Sequence, residues 1–410
     1  MNPYIRKYKT FVISDVGIYP WGVGRNNMRH SGPPDTLVEV MSSSEPNPPI
    51  LPEPPRQTDP LGLPEQDGGT PNEWQPAPES GFSFADLFFG SEGLRAGWGI
   101  LLFLALREVL GDVLTPLLSA LVPHTVGGIF HPRRLMAYEG LALLTIILAT
   151  CAMARIERRP ASAYGLGGRH RLTNFCAGLG WGVALLSLLV FSLRACGLLV
   201  FDARLLVGAS ALRYAAIWGV GFLLVGLFEE TFFRGYLQFT LSRGIGGVYN
   251  WIRAGLSQTT GSDASEAHSA GSRETGQNAF GFWSAALLLS FGFGFTHSSN
   301  VGESPIGLFS AALIAVVFCF SLWRSGSLWW AIGFHTAWDW AQSFLYGVSD
   351  SGIGIAGHLF ATHPVGRAIF SGGLTGPEGS FFVLPVIALT AIVIHLTLSR
   401  ESGVDLSTER

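Results

Sequence analysis

The chain has 410 residues, of which 48% are hydrophobic and 13% are charged, and its mean hydropathy is +0.35. An average soluble domain has about 25% charged residues, so this composition indicates a protein embedded in a membrane. The formal net charge of −3 is too small to indicate nucleic-acid binding. Four cysteines lie in apolar runs without the spacing of a metal site or a disulfide framework, which predicts buried free thiols: Cys151, Cys176, Cys196 and Cys319.

The N-terminal part differs from the rest of the chain. Residues 1–80 hold 15 of the 23 prolines and show no sustained apolar periodicity. Such a segment cannot bury enough apolar surface to offset its ordering entropy, so we predict a disordered tail. The next stretch, residues 81–90 (GFSFADLFFG), favours a short interfacial helix.

Apolar runs long enough to cross a bilayer as helices follow from Trp98 onward. We therefore predict an all-α fold, a polytopic membrane helical bundle of about eight transmembrane helices behind a disordered Pro-rich tail. The predicted helices lie near residues 97–121, 135–155, 174–200, 211–238, 280–297, 305–323, 327–346 and 380–399. The predicted domains are the tail (1–80), the interfacial segment with three helices (81–210), a catalytic core (211–346), and a loop, last helix and C-terminal tail (347–410).

Charged and histidine residues outside the core have simpler interpretations. Arg107, Glu108 and Asp112 in the first predicted helix are typical of a structural ion-pair cluster. His268 lies in a polar Gly/Ser-rich loop and is expected to be solvated. The Gly-rich loop 347–379 can cover one mouth of a site, and its two histidines, His358 and His363, have no further metal ligands beside them.

The most informative feature is a pair of adjacent carboxylates, Glu229 and Glu230, near the end of the apolar stretch 211–238. Carboxylates at membrane depth are costly, so they need partners or a function. Arg234 follows Glu230 by four residues on the same helical face, which predicts an ion pair. Glu229 is turned about 100° away and has no obvious local counter-ion.

Two later apolar segments each carry a histidine. His297 ends FGFGFTH, and Phe293 on the same helical face would wall the site with apolar surface. His335 precedes Asp339 by one helical turn, so the two side chains can point at the same spot. Ionisable groups on three neighbouring segments predict a reaction or ion site inside the bilayer.

Peptide hydrolysis needs an activated water, a proton donor for the leaving amine and stabilisation of the oxyanion. Glu229 suits the role of base, because desolvation favours proton uptake by a carboxylate. His297 can hold the water with Glu229 or move its proton. Glu230 with Arg234 would fix the helix end and keep Glu229 aimed.

The segments EETFFR (229–234), FGFTH (293–297) and HTAWD (335–339) resemble the EExxxR, FxxxH and HxxxN/D motifs of the CPBP family. This family includes CAAX prenyl endopeptidases and bacteriocin-processing and self-immunity (Abi) proteins. The resemblance covers residues 211–346 and implies an all-helical intramembrane endopeptidase. The functional roles that it implies fall on Glu229, Glu230, Arg234, His297, His335 and Asp339.

The third motif leaves the chemistry open. An Asn at its end can donate a hydrogen bond to an oxyanion, whereas an ionised Asp339 only accepts. Asp339 can instead orient His335, or join Glu229 and the two motif histidines in a donor set that suits Zn²⁺. No HExxH pair occurs on one helix, which favours a metal-free site. Members of the family have been described both as metalloproteases and as metal-independent proteases. No cofactor is therefore certain, and Zn²⁺ is the alternative.

The sequence thus predicts an intramembrane endopeptidase acting on a membrane-associated protein or peptide, of prenylated or leader type, with the bilayer as its other partner and no nucleic acid. A proton-coupled transporter or a non-catalytic membrane scaffold is the alternative; the absence of a repeated half argues against a transporter. Arginine placement favours a multi-pass protein of the plasma (inner) membrane with both termini cytoplasmic, although Arg133 and Arg134 are exceptions. Substrate identity and oligomeric state are not predicted.

Overall fold

A computed structural model describes residues 84–90, 93–121, 131–260 and 270–399. The predicted disordered tail over residues 1–80 and the predicted solvated His268 lie outside the described residues. The boundaries of the four predicted domains stay predictions.

The described part of the chain is dominated by helices, as predicted for an all-α membrane bundle. Short antiparallel strands pair as β1 with β2 and as β3 with β4. The helices are α1 (Ala96–Leu121), α2 (Pro132–Ile156), α3 (Arg171–Ala195), α4 (Gly208–Glu230), α5 (Gln238–Thr260), α6 (Ala270–Thr296), α7 (Pro305–Ser325), α8 (Trp329–Asp339), α9 (Ala368–Ser371) and α10 (Val383–Thr397). The strands are β1 (Phe89–Gly90), β2 (Gly93–Leu94), β3 (Leu199–Arg204) and β4 (Phe360–Pro364).

Two π-helical segments, in which each hydrogen-bonded turn is widened, interrupt this pattern. The first, Thr231–Leu237, joins α4 to α5, and Gly235 within it has a non-helical backbone with φ −83° and ψ −113°. The second, Trp340–Leu345, continues α8. Each begins directly after a motif carboxylate, Glu230 or Asp339. Such widened turns occur often at functional sites.

The predicted count of about eight transmembrane helices is not confirmed. Among the described residues, five helical stretches are long and apolar enough to cross a membrane: Pro132–Ile156, Arg171–Ala195, Gly208–Leu256, Ala279–Ser299 and Pro305–Ser325.

Three predicted spans are missing from that set for physical reasons. The α1 helix carries three charged side chains, and α10 has only 15 residues. The α8 helix has 11 residues, nearly all buried, so its apolar character reflects contact with neighbouring helices rather than with lipid.

Other sequence predictions have mixed outcomes. The cysteines are free as predicted, but only Cys319 is buried, whereas Cys151, Cys176 and Cys196 are exposed. In α1, Arg107 and Glu108 form an ion pair. The predicted interfacial helix is replaced by a 3₁₀ turn, Phe84–Leu87, followed by β1.

The α8 helix lies against α3 with glycines at the crossing. A Cβ atom at Gly178 would collide with the carbonyl oxygen of Trp330, and one at Gly182 would lie 2.5 Å from that of Phe334. From the other side, a Cβ at Gly333 would collide with the carbonyl oxygen of Phe175. Small residues let helix backbones approach closely in membrane proteins. The position of α8 is therefore set by contacts between the two backbones. A larger residue at these glycines could not be accommodated by a side-chain movement.

We expect Gly178→Ala to destabilise the protein by about 1–3 kcal/mol, because the methyl group overpacks the crossing of α3 and α8. Thermal unfolding in detergent measures the effect. Gly180→Ala is the matched control, since a Cβ there meets nothing within 4 Å. The proposed packing role of Gly178 would be wrong if both variants unfolded at the same temperature.

Candidate active site

The end of α4 brings the paired carboxylates into the protein interior. Glu229 and Glu230 are both buried, with Glu230 fully enclosed. The guanidinium of Arg234 donates to Oε1 of Glu230 across 3.3 Å, which confirms the predicted ion pair. Arg234 is itself buried, and its guanidinium lies 4.4 Å from the centre of the Phe293 ring. A cation over an aromatic face in a water-poor environment is an attractive contact.

Glu230 has a second partner that sequence reasoning missed. His335 donates from Nδ1 to the same Oε1 of Glu230, at 2.9 Å. Glu230 therefore joins α4 to α8, in addition to the expected pairing with Arg234 within one helical turn. The orientation of the His335 ring is fixed by this hydrogen bond.

The other ring nitrogen of His335 faces two more carboxylates. Its Nε2 lies 3.6 Å from Oε2 of Glu229 and 3.5 Å from Oδ2 of Asp339. Glu229, which has no counter-ion in its own helix, thus lies beside a histidine of another helix. Ionised carboxylates only accept hydrogen bonds, so a ring with N–H on both nitrogens matches these neighbours best.

His297 is at the same cavity but has a different environment. It lies where α6 passes into a 3₁₀ turn, and its Nδ1 donates to the carbonyl oxygen of Phe293 at 2.8 Å. The rings of Phe293 and His297 are 4.9 Å apart, and those of Phe293 and His335 are 6.3 Å apart. Phe293 therefore lies beside both histidines and contributes apolar surface to the cavity wall, as the sequence predicted.

One cavity joins these groups. Glu229, Phe293, His297, His335 and Asp339 all line it. Glu230 and Arg234 do not line the cavity; Glu230 accepts from His335, and Arg234 pairs with Glu230. The structure therefore brings together the candidate residues of all three motifs.

Four further charged residues on the cavity wall were not singled out as site residues from the sequence. Two come from α2 and two from the loop 347–379, which does cover part of the site. They are Arg134, Glu139, Asp350 and Glu378. No short motif marks these four residues. Arg134 and Glu139 are far from the three motifs in the sequence, and Asp350 and Glu378 lie in an irregular Gly-rich loop.

The loop carboxylates are fixed by hydrogen bonds. Glu378 accepts from Nε1 of Trp338 at 2.8 Å and from Oγ of Ser351 at 3.1 Å. Asp350 accepts from Oγ of Ser343 at 3.3 Å. Burial raises the pKa of Asp350 well above its usual range, and the nearby negative charges, with Asp339 first among them, raise it further.

A metal ion is the alternative that the sequence left open for this site. Among the described residues, no group of three or more His, Cys, Asp or Glu side chains is arranged to hold one. The Nδ1 atoms of His297 and His335 are both engaged within the protein, so only the Nε2 atoms could face a ligand. The Zn²⁺ alternative thus gains no support from this arrangement, and the chemistry proposed for the site uses no metal.

The loop histidines have separate neighbours. His358 donates from Nδ1 to the carbonyl oxygen of Ile355, and His363 pairs with Asp202 at 2.8 Å on the exposed surface of the β3–β4 sheet. Neither side chain lines the cavity of the motif residues. No metal role follows for them.

Comparison with protein families gives one match, which covers about a third of the chain. Residues 210–341 match a family described as type II CAAX prenyl endopeptidase Rce1-like. No match was found among curated proteins, and none among solved structures. The matched segment contains all six candidate residues of the three motifs. Residues 210–341 are therefore similar to an Rce1-like type II CAAX prenyl endopeptidase domain, which confirms the resemblance to CPBP family intramembrane proteases.

Proposed function

We propose that this protein is an intramembrane endopeptidase that hydrolyses a peptide bond of a membrane-associated substrate. The observation that carries the proposal is the convergence of Glu229, Glu230 and Asp339 on His335 at one cavity, within the segment that matches the endopeptidase family. A membrane protein with buried ionisable groups from several helices has a functional site by default. The family match makes hydrolysis the best-supported function of that site.

Glu229 is the general base in this proposal. It takes a proton from a water molecule whose oxygen attacks the carbonyl carbon of the scissile bond. His297, which lines the same cavity, holds that water on its second side through Nε2, because its Nδ1 already donates to the Phe293 carbonyl oxygen. When the tetrahedral intermediate breaks its C–N bond, the proton on Glu229 passes to the leaving amine. Water is consumed, and a carboxylic acid and an amine are released, so protons and electrons balance.

His335 stabilises the charge that develops on the carbonyl oxygen. Glu230 holds Nδ1 of the ring, so that N–H at Nε2 is directed to the side of Glu229 and Asp339. A fixed donor in a water-poor site stabilises an oxyanion strongly. Asp339 keeps the protonated ring in place through its charge, because its carboxylate lies 3.5 Å from the same nitrogen, one helical turn away.

We also infer a location for the protein. The arginine-rich loops of the sequence favour both termini on the cytoplasmic side, which requires an even number of crossings, and the plasma (inner) membrane is the membrane that we propose. A prenylated or leader-type peptide would reach the cavity from the bilayer. The cavity wall is largely apolar, with side chains such as Leu135, Phe222, Ile314 and Ile387, which suits such a substrate.

The test is cleavage of a library of membrane-anchored peptides by the full chain in phosphatidylcholine vesicles. We expect products with new termini, detected by mass spectrometry, in samples treated with chelator as well as in untreated ones. No cleavage together with uptake that depends on an ion gradient would support a transporter instead. Loss of cleavage on chelation, restored by Zn²⁺ and matched by bound metal, would overturn the metal-free chemistry.

A further inference from the structure

A buried carboxylate that does not line the cavity lies at the end of α2. Glu157 follows directly after the last residue of α2, outside the segment 210–341, and its side chain is 2% exposed. Its Oε1 accepts from the hydroxyl of Tyr236 at 2.6 Å, and its Oε2 accepts from that of Tyr164 at 3.1 Å. Both tyrosines are buried as well. Hydrogen bonds to an ionised acceptor are stronger than neutral ones, so Glu157 binds both side chains firmly.

Tyr236 belongs to the widened turn that follows the paired carboxylates. This turn, Thr231–Leu237, contains Arg234, which pairs with Glu230. The non-helical backbone of the turn is at Gly235, directly before Tyr236. π-Helical turns are rare, because ordinary α-helical bonding is the preferred alternative, so contacts with neighbouring elements have to hold them. The hydroxyl of Tyr236 supplies such a contact at the end of the turn.

The ring and the hydroxyl of Tyr236 have different neighbours. The ring stacks on that of Phe103 in α1, with the two centres 4.5 Å apart. The hydroxyl instead faces Glu157, and α1 approaches it closely, since a Cβ atom at Gly99 would lie 2.9 Å from its oxygen. A buried donor that loses its partner is costly to satisfy elsewhere. The end of the widened turn is therefore located by one specific hydrogen bond in addition to ring packing.

The second tyrosine bound by Glu157 lies in the loop between α2 and α3, residues 157–170. The same loop holds the start of α8. The carbonyl oxygen of Gly165 accepts from the backbone N–H of Leu328 at 2.9 Å, and that of Leu166 accepts from Nε1 of Trp329 at 3.2 Å. One loop thus contacts both the widened turn after α4 and the helix that carries the third motif.

We propose that Glu157 is a positioning residue of the candidate active site and acts through Tyr236. It holds the end of the widened turn, so that Arg234 keeps its contact with Glu230, and Glu230 in turn keeps the ring of His335 oriented. Without this anchor the turn can tighten toward ordinary α-helical bonding, which rotates Arg234 relative to Glu230. The inference rests on the proposed endopeptidase function and adds to it a residue outside the three motifs.

The test compares two variants that remove equivalent hydroxyls. Tyr236→Phe and Tyr164→Phe each remove one hydrogen bond to the same carboxylate and keep the ring, so similar falls in unfolding temperature are expected. We expect Tyr236→Phe to lower kcat about 10- to 100-fold at nearly unchanged KM, as for a small displacement of catalytic groups. Tyr164→Phe is expected to keep kcat close to wild type, because it leaves the backbone bonds to α8 in place. Equal effects of the two variants on kcat would overturn the proposal.

Two changes at Glu157 test the acceptor itself. Glutamine keeps an oxygen that can accept from Tyr236, whereas leucine does not. We therefore expect Glu157→Gln to retain more of the wild-type kcat than Glu157→Leu. Glu157→Leu combined with Tyr236→Phe is expected to lower kcat no further than the larger of the two single effects, because both changes remove the same bond. Losses in kcat that add would contradict an action of Glu157 through Tyr236.

A signal from His335 tests the inference without any substrate. The full chain is labelled with ¹⁵N-histidine and studied by solid-state NMR in phosphatidylcholine vesicles, and a His335→Asn sample assigns the signal. The chemical shift of Nδ1 reports on the hydrogen bond to Glu230. We expect this shift to change in Tyr236→Phe and to stay in Tyr164→Phe, which would support the inference even where no peptide is cleaved. An unchanged shift in Tyr236→Phe would overturn it even where cleavage is observed.

Discussion

Replacing Glu229 by glutamine is expected to reduce peptide-bond cleavage by about 100- to 10,000-fold, which is the typical contribution of a general base. Glutamine has nearly the same shape but cannot take a proton from water. The side-chain oxygen of the glutamine can still accept a hydrogen bond beside Nε2 of His335, which lies 3.6 Å from Glu229 in the wild type. The fold is therefore expected to survive. The measurement is kcat/KM for a membrane-anchored peptide, with thermal unfolding of the same sample as the check on folding.

The chain offers a matched control for this variant. Glu108 is a partly exposed carboxylate of α1 that pairs with Arg107 and does not line the cavity. Glu108→Gln is therefore expected to cleave at the wild-type rate. If Glu229→Gln also retained full activity, another carboxylate of the wall would have to be the base, and Glu139 on α2 would be the next to replace.

Replacing Glu230 by alanine is expected to destabilise the protein by about 3–5 kcal/mol and to abolish cleavage. Among the described residues, Glu230 is the carboxylate that pairs with the buried Arg234, and removal of one partner leaves an uncompensated charge in a water-poor interior. The same change removes the acceptor that holds Nδ1 of His335. Unfolding in detergent measures the first effect, and peptide cleavage measures the second.

A double variant distinguishes these two consequences. Glu230→Leu combined with Arg234→Met removes both charges, and replacing a buried ion pair by apolar groups of similar size is often nearly neutral. We expect it to regain much of the lost stability, yet to stay inactive because the His335 ring is no longer held. A double variant as unstable as Glu230→Ala, or one that cleaves normally, would contradict this account of the network.

The local part of the site could be predicted from the sequence. Helical spacing alone predicted that Glu230 meets Arg234 and that Phe293 meets His297, and both contacts are present. The hydrogen bond from His335 to Glu230 could not be predicted in this way, because it joins residues 105 positions apart. It depends on how α8 crosses its neighbours, and that crossing is set by glycine contacts whose pairing no single segment reveals.

Hydropathy was less informative for the number of membrane crossings. The apolar stretch around α8 has the composition of a transmembrane helix, but its side chains are buried against α3 and other helices. Hydrophobicity reports that a residue avoids water and does not distinguish lipid from protein as the alternative surrounding. The α1 helix differs in the opposite direction. With 26 residues it is long enough to cross a membrane, but its three charged side chains exclude it from the candidate spans.

The widened turn after Asp339 makes the spacing of this region sensitive to chain length. Removing one residue from Trp340–Leu345 would allow ordinary α-helical bonds, but it would rotate the following residues by about 100° relative to the preceding ones. Tyr346, whose hydroxyl donates to Oγ of Ser187 at 2.8 Å, would then lose that anchor. A one-residue deletion here would thus uncouple α8 from the loop that roofs the cavity without altering any catalytic side chain. We therefore expect this stretch to tolerate substitutions better than changes in its length.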